Sequence, residues 1–136
     1  MKTLILILIA TFSLNAFAGE PMTEAEIKAF MEKVEKETRQ DYWKRGFDNV
    51  SSRTEKYNNY DIDNYVIRER NMNYHEPLDD FQIAKLYRCH YSETCELFLI
   101  RVSNSYHSGW ADYSHFIFLD TQEHQYDWFA HLVYGE

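Results

Sequence analysis

Between Thr23 and Gly46 the apolar side chains recur every three or four positions, whereas after Tyr60 they come in short aromatic and β-branched runs divided by turn residues. That change of period points to a fold in which a helix precedes a sheet. Ile27, Phe30, Met31, Val34, Thr38 and Tyr42 form one stripe of the helix. Thr23 and Glu26 have the spacing of a capping box, in which hydroxyl and carboxylate each satisfy a backbone N–H. The pairs Glu24/Lys28, Glu32/Lys36, Glu35/Arg39 and Asp41/Arg45 set acid before base at four-residue separation, the favourable order against the helix dipole. Gly46 is the expected stop. These charges read as a solvated helix face rather than as chemistry.

Residues 47–59 are polar, and Ser51, Ser52, Asn58 and Asn59 predict a loop with room for a short second helix. Strands are expected at 65–70, 81–89, 95–102, 113–120 and 126–134. Pairing 81–89 with 95–102 as a hairpin sets Cys89 opposite Cys95, Arg88 opposite Glu96, Tyr87 opposite Leu97 and Leu86 opposite Phe98. One register then satisfies covalent, ionic and apolar pairing together. The predicted fold is α+β: one long N-terminal helix packed on a curled antiparallel meander sheet of four or five strands, in a single domain spanning 19–136.

Residues 1–18 read as a cleavable signal peptide. Lys2 precedes the apolar run from Leu4 to Ala10, and Ala16 and Ala18 supply the small side chains that a signal peptidase requires before Gly19. The apolar stretch is interrupted by Thr11, Ser13 and Asn15 and falls short of the roughly 20 residues that span a bilayer. The expected location is periplasmic or secreted, with no membrane insertion after cleavage. In such an oxidising compartment Cys89 and Cys95, the two cysteines of the chain, are expected to form a disulfide. Their spacing is not the CxxC of a redox enzyme, and two sulfurs alone make no zinc site.

The chain holds 14 Lys and Arg against 22 Asp and Glu, a net charge of −8, and losing Lys2 makes it one unit more negative. Nucleic acid and anionic membrane surfaces repel such a chain, while a basic protein suits it. Motifs of the common catalytic types are absent. Asn59, Asp61 and Asp63 imitate the start of a calcium loop, but Asn64 stands where glycine is needed and Arg70 where glutamate is needed. There is no HExxH, no GxSxG and no phosphate-binding glycine loop. No cofactor and no metal site is expected.

Two constellations are candidates for function. With a five-residue turn between the last strands, His115 lies directly across from His131, a pair able to share a proton or, with further ligands, hold a metal. A four-residue turn separates them. The stretch 103–113 is longer than a tight hairpin requires and mixes Tyr106, His107, Trp110 and Tyr113 with Ser, Asn and Gly, the composition of adaptable binding loops.

The final strands carry apolar residues on both faces, with Ile117, Leu119, Phe129 and Val133 assigned to one and Phe116, Phe118, Trp128 and Leu132 to the other. A single helix covers only one of them, so the second must enclose a cavity, pack a loop or meet a protein. The leading expectation is a small exported acidic protein that binds another protein, in the manner of an immunity protein or an inhibitor, without catalysis. A ligand-binding or hydrolytic domain with a cavity between helix and sheet is the alternative, and a homodimer formed through the second apolar face is a third reading.

Overall fold

The computed structural model describes residues 20–57, 62–70, 77–106 and 109–135. Thr23 Oγ1 accepts from the Glu26 amide at 3.2 Å and Glu26 accepts from the Thr23 amide at 3.3 Å, so the capping box starts α1 (Glu24–Lys44) where the sequence predicts. Gly46 follows in the left-handed region at φ 94°, a conformation that glycine adopts without strain. Then come β1 (Asn49–Lys56), α2 (Ile62–Arg70), α3 (Asp80–His90), β2 (Cys95–Tyr106), β3 (Gly109–Asp120) and β4 (Gln125–Gly135). The four strands lie in the order β1-β2-β3-β4, each antiparallel to its neighbour. The fold is α+β, a long N-terminal helix on an open four-stranded antiparallel meander.

Three elements differ from their sequence expectation. The polar stretch after Gly46 is strand β1 rather than a loop. Its alternation is hidden because Ser52 and Thr54 take the inward positions, where their hydroxyls donate to the Glu35 carboxylate, Ser52 at 3.0 Å. Residues 65–70 belong to helix α2, in which Ile62, Tyr65 and Val66 are buried at one-turn spacing. Residues 81–89 form helix α3 rather than a hairpin strand. Asp79 caps it, accepting from the Gln82 amide at 2.7 Å while Gln82 accepts from the Asp79 amide at 3.0 Å. A short apolar run reads equally well as strand or buried helix, and this second capping box is the local signal that decides it.

The bridge between Cys89 and Cys95 is present, but it ties the end of α3 to the start of β2 instead of spanning a hairpin. The cross-strand partners expected beside it therefore do not form. Glu96 instead pairs with Lys56 of β1 at 3.2 Å.

Alternation along β2 and β3 divides the core in two. Phe98, Ile100, Val102, Ile117 and Leu119 pack against Met31, Val34 and Tyr42 of α1. Leu97, Leu99, Phe116 and Phe118 pack against Ile62, Tyr65 and Val66 of α2 and Leu86 and Cys89 of α3. The second apolar face is thus filled by the chain's own helices. This removes the reason for expecting a cavity, a packed loop or a second copy there.

Candidate functional site

Tyr42 closes the apolar stripe of α1 and His115 sits in the middle of β3, and the packing of α1 on the sheet brings them together. The Tyr42 hydroxyl and His115 Nε2 share a hydrogen bond of 2.6 Å. His115 is only 5% exposed. Burial, assisted by the Arg45 guanidinium, lowers its pKa from 6.5 to about 4, and burial next to Tyr113 drives the Tyr42 phenol well above its ordinary value. Both rings are neutral at pH 7. The outer face of the imidazole stacks on Trp128 of β4 at 5.4 Å between centroids and 27° between planes.

Trp128 is 47% exposed and Tyr126, two residues earlier, is 39% exposed. With Glu37, Thr38 and Asp41 of α1 they border a small cleft of about 160 Å3 over His115. The arrangement is a buried, uncharged pair supporting an exposed aromatic shelf, with two carboxylates on its rim. An imidazole whose pKa is near 4 is a weak base at neutral pH.

The expected pairing of His115 with His131 does not form. Asp120 pairs with Gln125 across a four-residue turn, so His115 lies opposite Ala130 and His131 opposite Ser114. The two histidines point to opposite faces of the sheet. The turn is set by the Asp120 carboxylate, which accepts from the Gln122 and Glu123 amides, each at 3.0 Å, while His124 takes the left-handed conformation at φ 56°. The same one-residue difference exchanges the faces of the neighbouring β4 residues, so that Trp128 stands opposite Ile117, and Phe129 opposite Phe116. Trp128 is therefore a site residue that sequence reasoning placed on the wrong face. An aspartate opening the turn was the signal available for it.

The aromatic stretch is divided as well. β2 runs to Tyr106 and β3 begins at Gly109, so residues 103–106 and 109–113 are strand rather than a long loop. His107 lies outside the described residues, as do the leader 1–18 and Asn59 and Asp61 of the calcium-loop imitation. Tyr106 and Tyr113 border a cleft beside the end of α1 with Arg45, Phe47 and Leu132. Trp110 faces the other side of the sheet, among Asn49, Ser51, Ser103, Ser105 and Asp112. The four residues do not make one binding loop.

Among the described residues no group of three or more His, Cys, Asp or Glu is arranged to hold a metal ion, and no helix is long and apolar enough to cross a membrane. Comparison with protein-family models, curated proteins and solved structures finds no match to this chain.

Proposed function

We propose that this is an exported binding protein, periplasmic or secreted, that holds a basic protein partner along the outer edge of β4 and performs no catalysis. One observation carries the reading. β4 is an edge strand of 11 residues in the described sheet, and on its α1-facing side it presents Tyr126 and Trp128 next to Glu37 and Asp41. Natural edge strands are commonly blunted by proline, lysine or a covering element; β4 contains neither proline nor lysine.

Among the described residues no strand lies beyond β4, so a partner strand added to this edge gains main-chain hydrogen bonds, and the aromatic shelf supplies the anchors in which interfaces concentrate their energy. The rim carboxylates suit a lysine or arginine of that partner. Glu37 meets Lys33 at 3.9 Å and Asp41 meets Arg45 at 2.7 Å, but both pairs are exposed and worth little, so either is open to exchange. The leader pattern, the disulfide and the acidic charge accord with an immunity-like or inhibitor-like role outside the cytoplasm.

The test is affinity capture from the native envelope with the wild-type chain and with Trp128→Ala, followed by direct measurement of binding to the captured protein. A basic partner that is lost with Trp128→Ala and weakened by raised salt supports the reading. A partner held equally by both chains contradicts it, as does a stable homodimer occupying β4.

A further inference from the structure

The helical order of charges sets Glu24 before Lys28 and Glu35 before Arg39 on α1, and neither pair closes. Among the described residues no carboxylate lies within 4.0 Å of the Lys28 ammonium and no cation lies within 4.0 Å of the Glu35 carboxylate. Glu35 turns instead to β1, accepting from Ser52 Oγ at 3.0 Å and from Thr54 Oγ1, while Arg39 donates to Ser52 at 3.3 Å. Each Glu35 oxygen uses one lone pair in this way and keeps one. A half-buried carboxylate is thereby held in place with acceptor capacity to spare.

Lys28 and Glu35 stand at opposite ends of one groove. Between α1 and β1 it opens to about 400 Å3, within the range of small-ligand sites, about 300–1,000 Å3. Its floor is apolar, made by Ile27 and Met31, one turn apart on α1, and by Phe98 of β2. Glu35 and Thr54 border one end. Lys28 on α1 and Lys56 on β1 border the other, since helix and strand run in opposite directions. At a rise of about 1.5 Å per residue the two ends of the helical wall are about 10 Å apart.

We propose that this groove binds a short peptide with both termini free, its ammonium group on Glu35 and its carboxylate between Lys28 and Lys56. An extended chain covers about 3.3–3.6 Å per residue, so about three residues span the distance. Both termini then make charge-assisted bonds, the stronger kind. The central side chain lies over Met31 and Phe98, which favour an apolar residue because a charge there loses its water. Lys56 also meets Glu96 at 3.2 Å, and Lys28 supplies the cation that is not so engaged. A single amino acid is too short to reach both ends. An apolar amine or a fatty acid complements one end and meets the like charge at the other, and an internal segment of a longer chain has no ammonium for Glu35. The groove lies on the β1 side of α1 and the Trp128 shelf on its β4 side, so the two sites are separate.

The experiment is a two-dimensional amide NMR titration of the protein with Ala-Leu-Ala and Ala-Phe-Ala, each also in N-acetylated and in C-amidated form. It is repeated on Glu35→Gln, Lys28→Gln and Trp128→Ala, with melting recorded in parallel. The expected result is a set of shifts at the α1 residues around Met31 and at Thr54 and Lys56 with the free peptides. Acetylation should weaken binding to the wild-type protein tenfold or more and make no difference to Glu35→Gln. Amidation should weaken it likewise, with a smaller difference in Lys28→Gln, and Trp128→Ala should bind as the wild type does. Should Glu35→Gln fail to fold, the free and blocked peptides on the wild-type protein and the exposed Lys28→Gln change carry the decision. Absence of shifts at millimolar concentrations of both free peptides overturns the proposal, as does binding indifferent to acetylation. Because Trp128→Ala is the variant that tests the β4 surface, failure of either site is read independently of the other.

Discussion

The hydroxyl of Tyr42 meets Nε2 of His115 at 2.6 Å, a polar contact set in the core between α1 and β3. It fixes the height at which α1 crosses the sheet, because sliding the helix in either direction leaves a polar atom buried without a partner, at a cost of about 1–3 kcal/mol. It also sets the imidazole plane on which Trp128 rests. The position of the aromatic shelf is therefore determined from inside the core.

Removing that hydroxyl tests the dependence. Tyr42→Phe keeps the ring contacts with Phe47 and Tyr113 but leaves Nε2 of His115 unsatisfied, so stability should fall by about 1–2 kcal/mol. Urea unfolding of the two proteins measures it. A double-mutant cycle with His115→Phe should show the two losses to be less than additive, since either change alone breaks the same bond.

Acid should act through His115. Its folded pKa of about 4 lies below the unfolded value of 6.5, so between those two pH values the unfolded chain binds a proton that the native protein does not. The contribution is complete above pH 6.5, declines as pH falls, and is exhausted once the native imidazole also protonates near pH 4; over that range it amounts to at most about 3 kcal/mol. Melting temperature recorded from pH 7.5 to 4 should show this decline. His115→Gln, which keeps an acceptor for the Tyr42 hydroxyl, should flatten it.

Reduction should loosen the junction of α3 and β2. The bridge spans a sequence separation of 6, a loop short enough that its removal should cost about 2 kcal/mol. Melting in the presence of a thiol reductant should shift downward while the cold protein stays folded. Thiol titration of the native protein should find no free cysteine.

Helical character at residues 80–90 is open to a direct check. Asp79→Ala removes the cap of α3 and should destabilise the protein by about 1 kcal/mol. Leu86→Ala, at a side chain with no exposure, should cost about 2–5 kcal/mol. A neutral Asp79→Ala would favour a strand at this position.

Export makes its own prediction. Protein recovered from the envelope or medium of the producing cell should begin at Gly19, as read by N-terminal sequencing. A chain beginning at Met1 in a membrane fraction would contradict the leader.

Local chemistry was sufficient for part of this structure. The capping box at Thr23 and Glu26, the stripe from Ile27 to Tyr42 and the stop at Gly46 specify α1 without reference to the rest of the chain, because each is an interaction within a few residues. The long apolar runs of β2, β3 and β4 and the pairing of the two cysteines are legible for the same reason. Other features depend on what lies across the core. Ser52 and Thr54 look like loop residues until Glu35 of α1 is placed over them. The apolar pattern of residues 81–89 fits a strand or a buried helix equally well, and beside the capping box at Asp79 and Gln82 it is the apolar face of Leu97, Phe116 and Phe118 that the helix is needed to cover. The partnership of His115 with Tyr42 instead of His131 rests on a single residue in the β3–β4 turn, and a one-residue slip reverses every side chain of the strand beyond it. The sequence alone thus determined α1, the outlines of β2, β3 and β4 and which residues are bridged; only tertiary packing decided that 49–56 is a strand and which face each side chain occupies, because facing is a property of two elements in contact and neither carries it alone.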